Sequence, residues 1–599
     1  MVLTRYTVAA VLLQLAAQAV AHGDDEHCDG DMCGMKKPEA HNEGDLPDYY
    51  AMPSYAGLGM HGNMMLAHIV FMVLAWIFIL PIGVMFSIAR SRFALPTQFL
   101  FLVLNGFGVL FGTIYNINTP DLYENNAHHK VGWIATWMVT AQVIMSLVFH
   151  HSGRGKQSEA STSERQAFLP VSAENMAQHN MRPYAEYRWS GDSGRGTEAS
   201  STLNSRDASP TKLKRRNTDD SFEKPEPEPE QEPDDEGEEP LPARHQPRAA
   251  WLRINVIDKY LSSRIPSLLS AKILRVIEII YQVIDRTSLI LGFIALTTGG
   301  VTYAGMFRGN NVFNGLAHFI KGGIFFWYGL LTLGRWMGCF ADFGWAWNLR
   351  PTRSEVGQWK ARLPSAEFVE SFVIWLYGCT NVFLEHLAAW GHQLTAQDLE
   401  HVSISIMFFG GGLLGMLVES KRVRRCLNTV VDSMPARTEV PPSEALQLRS
   451  QPKQYGISLN PMPALIILLL GLMMSSHHQD SMTSTTVHKQ WGYLLGGFAV
   501  ARLVTYVIMY TSPPSSVYPS RPPTELISAF CLISGGLVFM ASTKDIIHYM
   551  ENADLMAMFV FTVVMGVTAF IMSYEVFVLC LKGWATRKEL DAAQSSVRY

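Results

Sequence analysis

Charged side chains are scarce in this chain. Asp, Glu, Lys and Arg make up 17% of its 599 residues and hydrophobic residues 48%, whereas soluble proteins average about 25% charged residues. The scarcity is uneven, because long apolar runs hold almost no charge and residues 152–250 hold almost no large apolar side chain. This pattern excludes an ordinary soluble domain and makes the lipid bilayer the expected partner. The net charge of −4 is the sum over segments of very different composition. It therefore indicates no particular partner, and no nucleic acid.

The signatures of several common enzyme classes are also missing. The sequence has no Rossmann-like glycine loop, P-loop, secreted catalytic triad pattern or HExxH motif. Its seven cysteines show no paired framework, although Cys28 and Cys33 are close enough in sequence for a small disulfide. The sequence therefore assigns no enzyme class, substrate or electron donor.

The N-terminus has the pattern of a secretory signal. Arg5 precedes a short apolar core, and residues 19–21 form an Ala-Val-Ala cleavage site. We expect residues 1–21 to be removed, because about ten apolar residues cannot cross a bilayer core of about 30 Å. Residues 22–60 then form a luminal or extracellular tail, whose His, Cys and Met side chains suit copper or form only a flexible acidic tail. The destination is a membrane of the secretory pathway: endoplasmic reticulum, vacuole or plasma membrane.

Hydropathy predicts an all-α polytopic membrane bundle of about eleven spans, because helices satisfy their own backbone groups in lipid. The expected spans are 65–88, 97–117, 129–149, 286–306, 314–334, 365–385, 398–418, 460–478, 488–510, 523–542 and 553–582.

Loop charge predicts the orientation. Basic residues such as Arg90 and Arg92, and the basic run in residues 421–425, fall in loops on one side, whereas the opposite loops hold single basic residues. The positive-inside rule therefore places the N-terminus outside and the C-terminus inside. The spans group as 3 + 8: a three-helix unit over residues 61–151 and an eight-helix bundle over residues 286–583.

A long cytoplasmic insertion separates the two groups. Residues 152–250 are rich in Ser and Thr and then in Pro and Glu, a composition that cannot offset ordering entropy, so we expect disorder. Residues 251–285 interleave basic and apolar side chains at helical spacing, which predicts an amphipathic interfacial helix. A soluble helix packed on the loops is the alternative. Residues 584–599 are expected to be a cytoplasmic tail.

Histidines gather at the predicted non-cytoplasmic ends of the spans. An imidazole in the membrane needs a hydrogen-bond partner, water or a ligand, so each is a functional candidate. His68 on the first span and His128 or His129 on the third can face each other. Two neutral imidazoles from facing helices suit a b-type haem. The alternative is that these side chains are only wetted by lipid headgroups.

Small residues on the second span bear on the same hypothesis. They either leave room for a flat ring or serve close helix packing. They are Asn105, Gly106, Gly108 and Gly112.

The first span is similar to the haem-ligand helix of cytochrome b561-type proteins with DOMON domains, through His68, Trp76, Pro81 and Gly83 in order. The run from His128 through Gly132 also looks like their His-x-x-x-Gly helix start. The resemblance covers roughly residues 61–150. The second span has no His for that family's second haem, and a fourth core helix with a matching His is absent. The resemblance therefore implies at most one haem.

The later spans carry a second polar group at their predicted outer ends. Imidazoles and carboxylates from neighbouring helix ends suit Zn²⁺ or another divalent ion, and a hydrogen-bonded polar layer without metal is the alternative. The candidate ligands are His318, Glu400, His401, His477, His478, Asp480 and His488. Together with Gly322 and Gly323, these stretches resemble the transmembrane protein 45-like proteins.

Charges within or near the spans need partners as well. They are Lys321, Glu370, Arg502 and Glu575. We expect Arg502 on the ninth span to pair with Glu575 on the eleventh.

Over nearly its whole length the chain resembles the fungal Ytp-type membrane proteins, which implies architecture rather than activity. Three hypotheses follow. The first is a membrane-embedded haem or metal redox protein that uses His68 and His128. The second is a metal-binding intramembrane hydrolase or metal-handling protein that uses the later histidines with zinc or copper. The third is a non-catalytic membrane scaffold.

Overall fold

The fold was analysed in a computed structural model of the chain. The structure describes residues 50, 52–164, 271–309, 311–388, 396–434, 450, 452–476, 479 and 481–597. These residues belong to two units, residues 1–152 with 246–599 and residues 153–245. The predictions for the signal, most of the luminal tail, the disulfide and most of the insertion lie outside the described residues.

Every regular element in the described ranges is helical. The longer helices are α1 (Gly62–Ile88), α2 (Ala94–Asn118), α3 (Ala127–Glu164), α4 (Ala271–Ala304), α5 (Asn311–Met337), α6 (Ala366–Ala388), α7 (Ala396–Glu419), α8 (Lys421–Asp432), α9 (Met462–Ser476), α10 (Met482–Thr511), α11 (Thr524–Ala541), α12 (Lys544–Asn552) and α13 (Ala557–Val597).

The helices match the predicted spans. Among the described residues, nine helices are long and apolar enough to cross a membrane. The helices α6 and α9 coincide with the remaining two predicted spans. The all-α polytopic membrane bundle is therefore confirmed, while its orientation stays a prediction.

Helix α1 changes its winding in the middle. Pro81 has no N–H to donate to the preceding turn, and residues Leu74–Ile79 just before it form a π-helical turn. Trp76 lies in this turn, is buried, and donates its indole N–H to Asn105 Oδ1 of α2 at 2.9 Å. The wider turn therefore lies where α1 makes a polar contact with α2.

The grouping of helices in space differs from their grouping along the chain. Leu289 and Leu296 of α4 pack against the buried cluster around Trp76 that α1, α2 and α3 form. Gly292 allows the close approach, because a Cβ there would lie 2.8 Å from the Trp76 ring. Helix α4 thus completes a four-helix bundle with the N-terminal helices. On α4, Phe293 also stacks on Phe326 of α5, with ring centroids 5.3 Å apart.

Two predicted segments continue into neighbouring helices. Residues 271–285, the described part of the predicted interfacial helix, form the first half of α4. Residues 584–597, predicted as a tail, extend α13. That extension packs on the first loop, where Glu589 and Arg92 form an ion pair at 3.1 Å and Lys588 lies 5.3 Å from the Phe93 ring centroid.

Helices α5 and α11 approach each other closely through a pair of glycines. A Cβ on Gly322 would lie 2.6 Å from the Gly536 carbonyl oxygen, and a Cβ on Gly536 would lie 2.5 Å from the Gly322 carbonyl oxygen. Small residues that let backbones approach are a main source of helix association in lipid. This contact fixes the relative rotation of the two helices.

We predict that Gly322→Ala destabilises the protein by about 1–3 kcal/mol, because the added methyl group overpacks the α5–α11 contact. Thermal unfolding in detergent measures this as a lower midpoint temperature. Gly566→Ala on α13 is the matched control, since nothing lies within 4 Å of a Cβ there. Equal midpoints for the two variants would contradict the packing argument.

Candidate functional site

His68 and His128 face each other across the four-helix bundle. Their ring centroids are 6.2 Å apart and their planes are inclined at 77°. Both side chains are half-buried. Each lies in the early part of its helix, α1 or α3, so both are near the same membrane surface. The structure thus brings together two of the three residues predicted as haem ligands.

Hydrogen bonds fix the protonation pattern of both rings. The Nδ1 atom of His68 lies 2.7 Å from the Gly108 carbonyl oxygen, and that of His128 lies 3.1 Å from the Ala295 carbonyl oxygen. A carbonyl oxygen only accepts, so Nδ1 must carry the proton in each ring. The lone pair of each neutral imidazole is then on Nε2. Metal-binding histidines commonly have this arrangement, which orients the ring and increases its basicity.

Glycines on neighbouring helices accommodate both rings. A Cβ on Gly112 of α2 would lie 2.6 Å from His68 Nδ1, and a Cβ on Gly299 of α4 would lie 3.0 Å from His128 Cε1. Gly108 similarly makes room for Met72. The Met72 and His68 side chains therefore fill the space beside Gly108 and Gly112. Helix α2 packs against the His68 ring, and α4 packs against the His128 ring.

The spacing of the pair fits one shared metal centre. An imidazole–metal bond is about 2.0–2.1 Å long, so two rings that bind one ion from opposite sides have their centroids roughly 6 Å apart. The observed separation of 6.2 Å is close to that value and also lies within the range of an ordinary edge-to-face ring contact. The described ranges contain no group of three or more His, Cys, Asp or Glu side chains that could hold a metal ion.

His129 lies outside this pair. Its side chain is exposed, and its backbone N–H donates to Asn126 Oδ1 at 3.1 Å as part of the start of α3. The structure therefore selects His128 as the partner of His68. Sequence spacing left the choice open because adjacent helical residues point about 100° apart and the helix rotation was unknown.

A second histidine pair lies in the C-terminal bundle. His318 of α5 and His488 of α10 have ring centroids 6.1 Å apart and planes inclined at 89°. Their Nδ1 atoms lie 2.8 Å from the Asn314 carbonyl oxygen and 2.9 Å from the Ser484 carbonyl oxygen, within their own helices. The two pairs share the same geometry although they occur on different helices.

The other predicted metal ligands lie on α7 or beyond the described part of the chain. Glu400 lies near the start of α7 and is exposed, and His401 follows it in the same helix. His477, His478 and Asp480 are outside the described residues. Among the predicted ligands that the structure describes, His318 and His488 come together.

Buried charged side chains form a further polar group. The sequence analysis predicted Glu370 and Arg502 as members of such a group but not Glu525. Arg502 approaches Glu525 at 2.7 Å and Glu370 at 3.4 Å. The predicted partner, Glu575, instead lies next to Gly334 on α5, where a Cβ would be 3.5 Å from its Oε1. The predicted Arg502–Glu575 pair is therefore replaced by two other pairs. Glu525 was missed because it falls in the first turn of α11, where a carboxylate is an ordinary feature of a helix start.

We predict that His68 and His128 in the metal-free protein are both neutral tautomers with the proton on Nδ1. Their carbonyl partners require the proton on Nδ1, and two charged rings whose centroids are 6.2 Å apart would repel each other. Nitrogen-15 NMR of histidine-labelled protein, assigned with His68→Gln and His128→Gln, measures it. Resonances of rings protonated at Nε2 alone would contradict the geometry.

Comparison with known proteins gives two family matches. Residues 291–583 match the family described as Protein YTP1-like, C-terminal, and residues 50–152 match a domain family of unknown function, DUF2427. The matched regions correspond to the C-terminal bundle and to the N-terminal helices. No solved structure matches the chain.

Three yeast proteins are similar to the chain. The membrane protein C3B8.06 of Schizosaccharomyces pombe, called uncharacterized, is 33% identical over 549 residues, which cover 91% of this chain and 98% of that protein. The membrane protein YCR061W of Saccharomyces cerevisiae, also called uncharacterized, is 38% identical over 54% of this chain and 51% of its own length. Protein YTP1 of the same yeast is 25% identical over 30% of this chain and 31% of its own length.

Proposed function

The chain belongs to the YTP1-like family of fungal membrane proteins, and we propose that it is a membrane-embedded b-type haem-binding redox protein in which His68 and His128 would hold the haem. The facing pair of imidazoles, each held through Nδ1, is the observation that carries the proposal.

The number of ligands favours haem over a bare metal ion at this pair. Zinc sites use three or four protein ligands, and the described residues offer no third His, Cys, Asp or Glu to complete such a site. A haem brings four ring nitrogens of its own and needs only two axial imidazoles. When bound it would supply one-electron transfer.

The protein's own residues would orient and insulate the group. The Gly108 and Ala295 carbonyl oxygens hold the two rings through Nδ1, which leaves Nε2 as the donor atom of each. Gly112 and Gly299 keep α2 and α4 close behind the rings. Helix α4 carries no histidine, so the bundle provides one axial pair at this membrane surface.

We predict that purified protein shows a reducible b-type absorbance spectrum. His68→Ala and His128→Ala should each abolish it, because either change removes one of the two axial ligands. His129→Ala is the matched control and should retain the spectrum, since His129 is exposed beside the pair. A haem-free wild-type protein would refute the proposal.

Gly112→Ala tests whether haem binding requires the His68 ring to pack directly against α2. We expect the added methyl group to displace His68 and to reduce haem content, because it would lie 2.6 Å from Nδ1. Gly106→Ala on the same helix is the control, since nothing lies within 4 Å of a Cβ there. Pyridine haemochrome analysis of both variants gives the haem content per chain. An equal loss of haem in both variants would contradict a specific role for the contact between Gly112 and His68.

The second histidine pair supports a metal-handling role as another candidate function. His318 and His488 have the spacing of two ligands to one ion, and His477, His478 and Asp480 stand immediately before α10 in sequence. These residues together supply the ligand types that zinc or copper uses.

We predict about one zinc or copper ion per chain in protein purified without chelator, lost in His318→Ala and His488→Ala. Elemental analysis by mass spectrometry measures the metal, and His129→Ala is the control. Unchanged metal content in both pair variants would exclude this site and leave the polar layer as a structural feature.

A further inference from the structure

Five buried charged side chains meet near the end of α5 and the starts of α6 and α11. We refer to Arg335, Glu367, Glu370, Arg502 and Glu525 as the charge centre. Arg335 contacts Glu367 at 2.9 Å and Glu370 at 2.8 Å. Glu370 also approaches Arg502 at 3.4 Å, and Arg502 approaches Glu525 at 2.7 Å. None of the five side chains is more than 8% exposed.

The charge centre is not balanced. Three carboxylates face two guanidinium groups, and the Glu419 carboxylate of α7 lies near Glu367, so full ionisation leaves at least one uncompensated negative charge. Arg502 also donates to the Tyr328 hydroxyl of α5 at 3.3 Å. An unpaired charge in a low-dielectric interior is costly and is normally removed by protonation or by a bound cation. The centre therefore requires one additional positive charge.

Hydrogen bonding distinguishes Glu525 from the other two carboxylates. Glu367 and Glu370 accept hydrogen bonds from Arg335. Glu525 lies 2.7 Å from Arg502 Nε, but the N–H direction is misaligned, and neither of its oxygens has a hydrogen-bond partner among the described residues. The hydroxyl groups of Tyr506 and Ser528 are likewise buried without a partner in this part of the structure. They lie one turn from Arg502 and Glu525 respectively, on the same helix faces.

Trp347 covers the centre from the loop between α5 and α6. Its ring centroid lies 4.3 Å from Arg335 Cζ and 5.7 Å from Arg502 Cζ, and its side chain is buried. The backbone at Trp347 has a φ of 50°, a conformation that is strained for an aromatic residue. The adjacent Asn348 holds the loop by donating to the Ala341 and Val517 carbonyl oxygens at 2.9 and 2.7 Å.

We propose that the charge centre is a proton-binding site, that Glu525 takes up and releases the proton, and that Trp347 closes the site toward its loop side. A proton attaches to a Glu525 oxygen, forms a neutral carboxyl group and cancels the excess charge. A metal cation fits less well, because two guanidinium groups repel it and hard cations need six or more oxygen ligands or waters. The site is independent of the proposed haem.

Infrared difference spectra between acidic and alkaline pH on the detergent-purified full chain test the proton site. Wild type should show a protonated-carboxyl carbonyl band that shifts in D2O. Glu525→Gln should lose that band, while Glu551→Gln, at an exposed position, should keep it. An unchanged band in Glu525→Gln would overturn the proposal.

Thermal midpoints separate a proton carrier from a permanent ion-pair partner. A neutral amide replaces a neutral carboxyl group in Glu525→Gln, so this variant should keep its midpoint at acidic pH. The midpoint temperature of Glu370→Gln should be markedly lower than that of wild type, because this change leaves Arg335 and Arg502 each with one carboxylate partner fewer. The proposal is wrong if Glu525→Gln fails to fold, or if its midpoint temperature is lowered as much as that of Glu370→Gln at every pH. Either result would show that Glu525 is a permanent ion-pair partner.

The rate of deuterium exchange at the Glu525 carboxyl group, followed through the same infrared band, tests whether Trp347 closes the site. Trp347→Ala should speed exchange of the Glu525 carboxyl proton relative to wild type, and Trp359→Ala should not. Trp359 is the matched control because it belongs to the same loop and is 51% exposed. Equal exchange rates in the two variants would show that Trp347 does not close the site.

Discussion

A polar group inside a bilayer must be satisfied by another part of the protein, because lipid supplies no hydrogen bonds. This constraint accounts for the contacts on which the bundle depends. Trp76 reaches Asn105 on the next helix, His68 reaches the Gly108 carbonyl oxygen, and Arg335 joins α5 to two carboxylates of α6. Each contact ties one helix to another at a defined rotation. The candidate sites arise where the same contacts bring several polar groups together.

The pair His318–His488 and the charge centre lie at different levels along the same two helices, α5 and α10. On α5, His318 and Arg335 are separated by about 25 Å along the helix axis, and on α10, His488 and Arg502 by about 20 Å. This histidine pair is near the surface where these helices begin, whereas the charge centre is near the surface where they end. The proposed metal chemistry and the proposed proton binding therefore occupy opposite halves of the membrane. Helix α4 contacts both the N-terminal helices and α5, so the two parts of the bundle are mechanically connected.

The hydropathy pattern was sufficient to place the membrane helices, because an apolar run long enough to span a bilayer has few alternatives. It was also sufficient to bring His68 near the start of α3. It could not choose between His128 and His129, which depends on helix rotation, nor assign Arg502 to Glu525 rather than to Glu575. Those outcomes depend on close helix contacts, such as the one between Gly322 and Gly536, that no local pattern encodes. The packing of α4 with the N-terminal helices was missed for a related reason: a long insertion separates segments in sequence without separating them in space.

The central claim is that His68 and His128 together would hold one haem. Electron paramagnetic resonance of the oxidised, purified protein tests whether two imidazoles bind the haem iron. We predict a low-spin ferric signal in wild type, because two imidazoles would bind the iron, and its loss in His68→Ala and His128→Ala. A high-spin signal, or no ferric haem signal at all, would contradict the account.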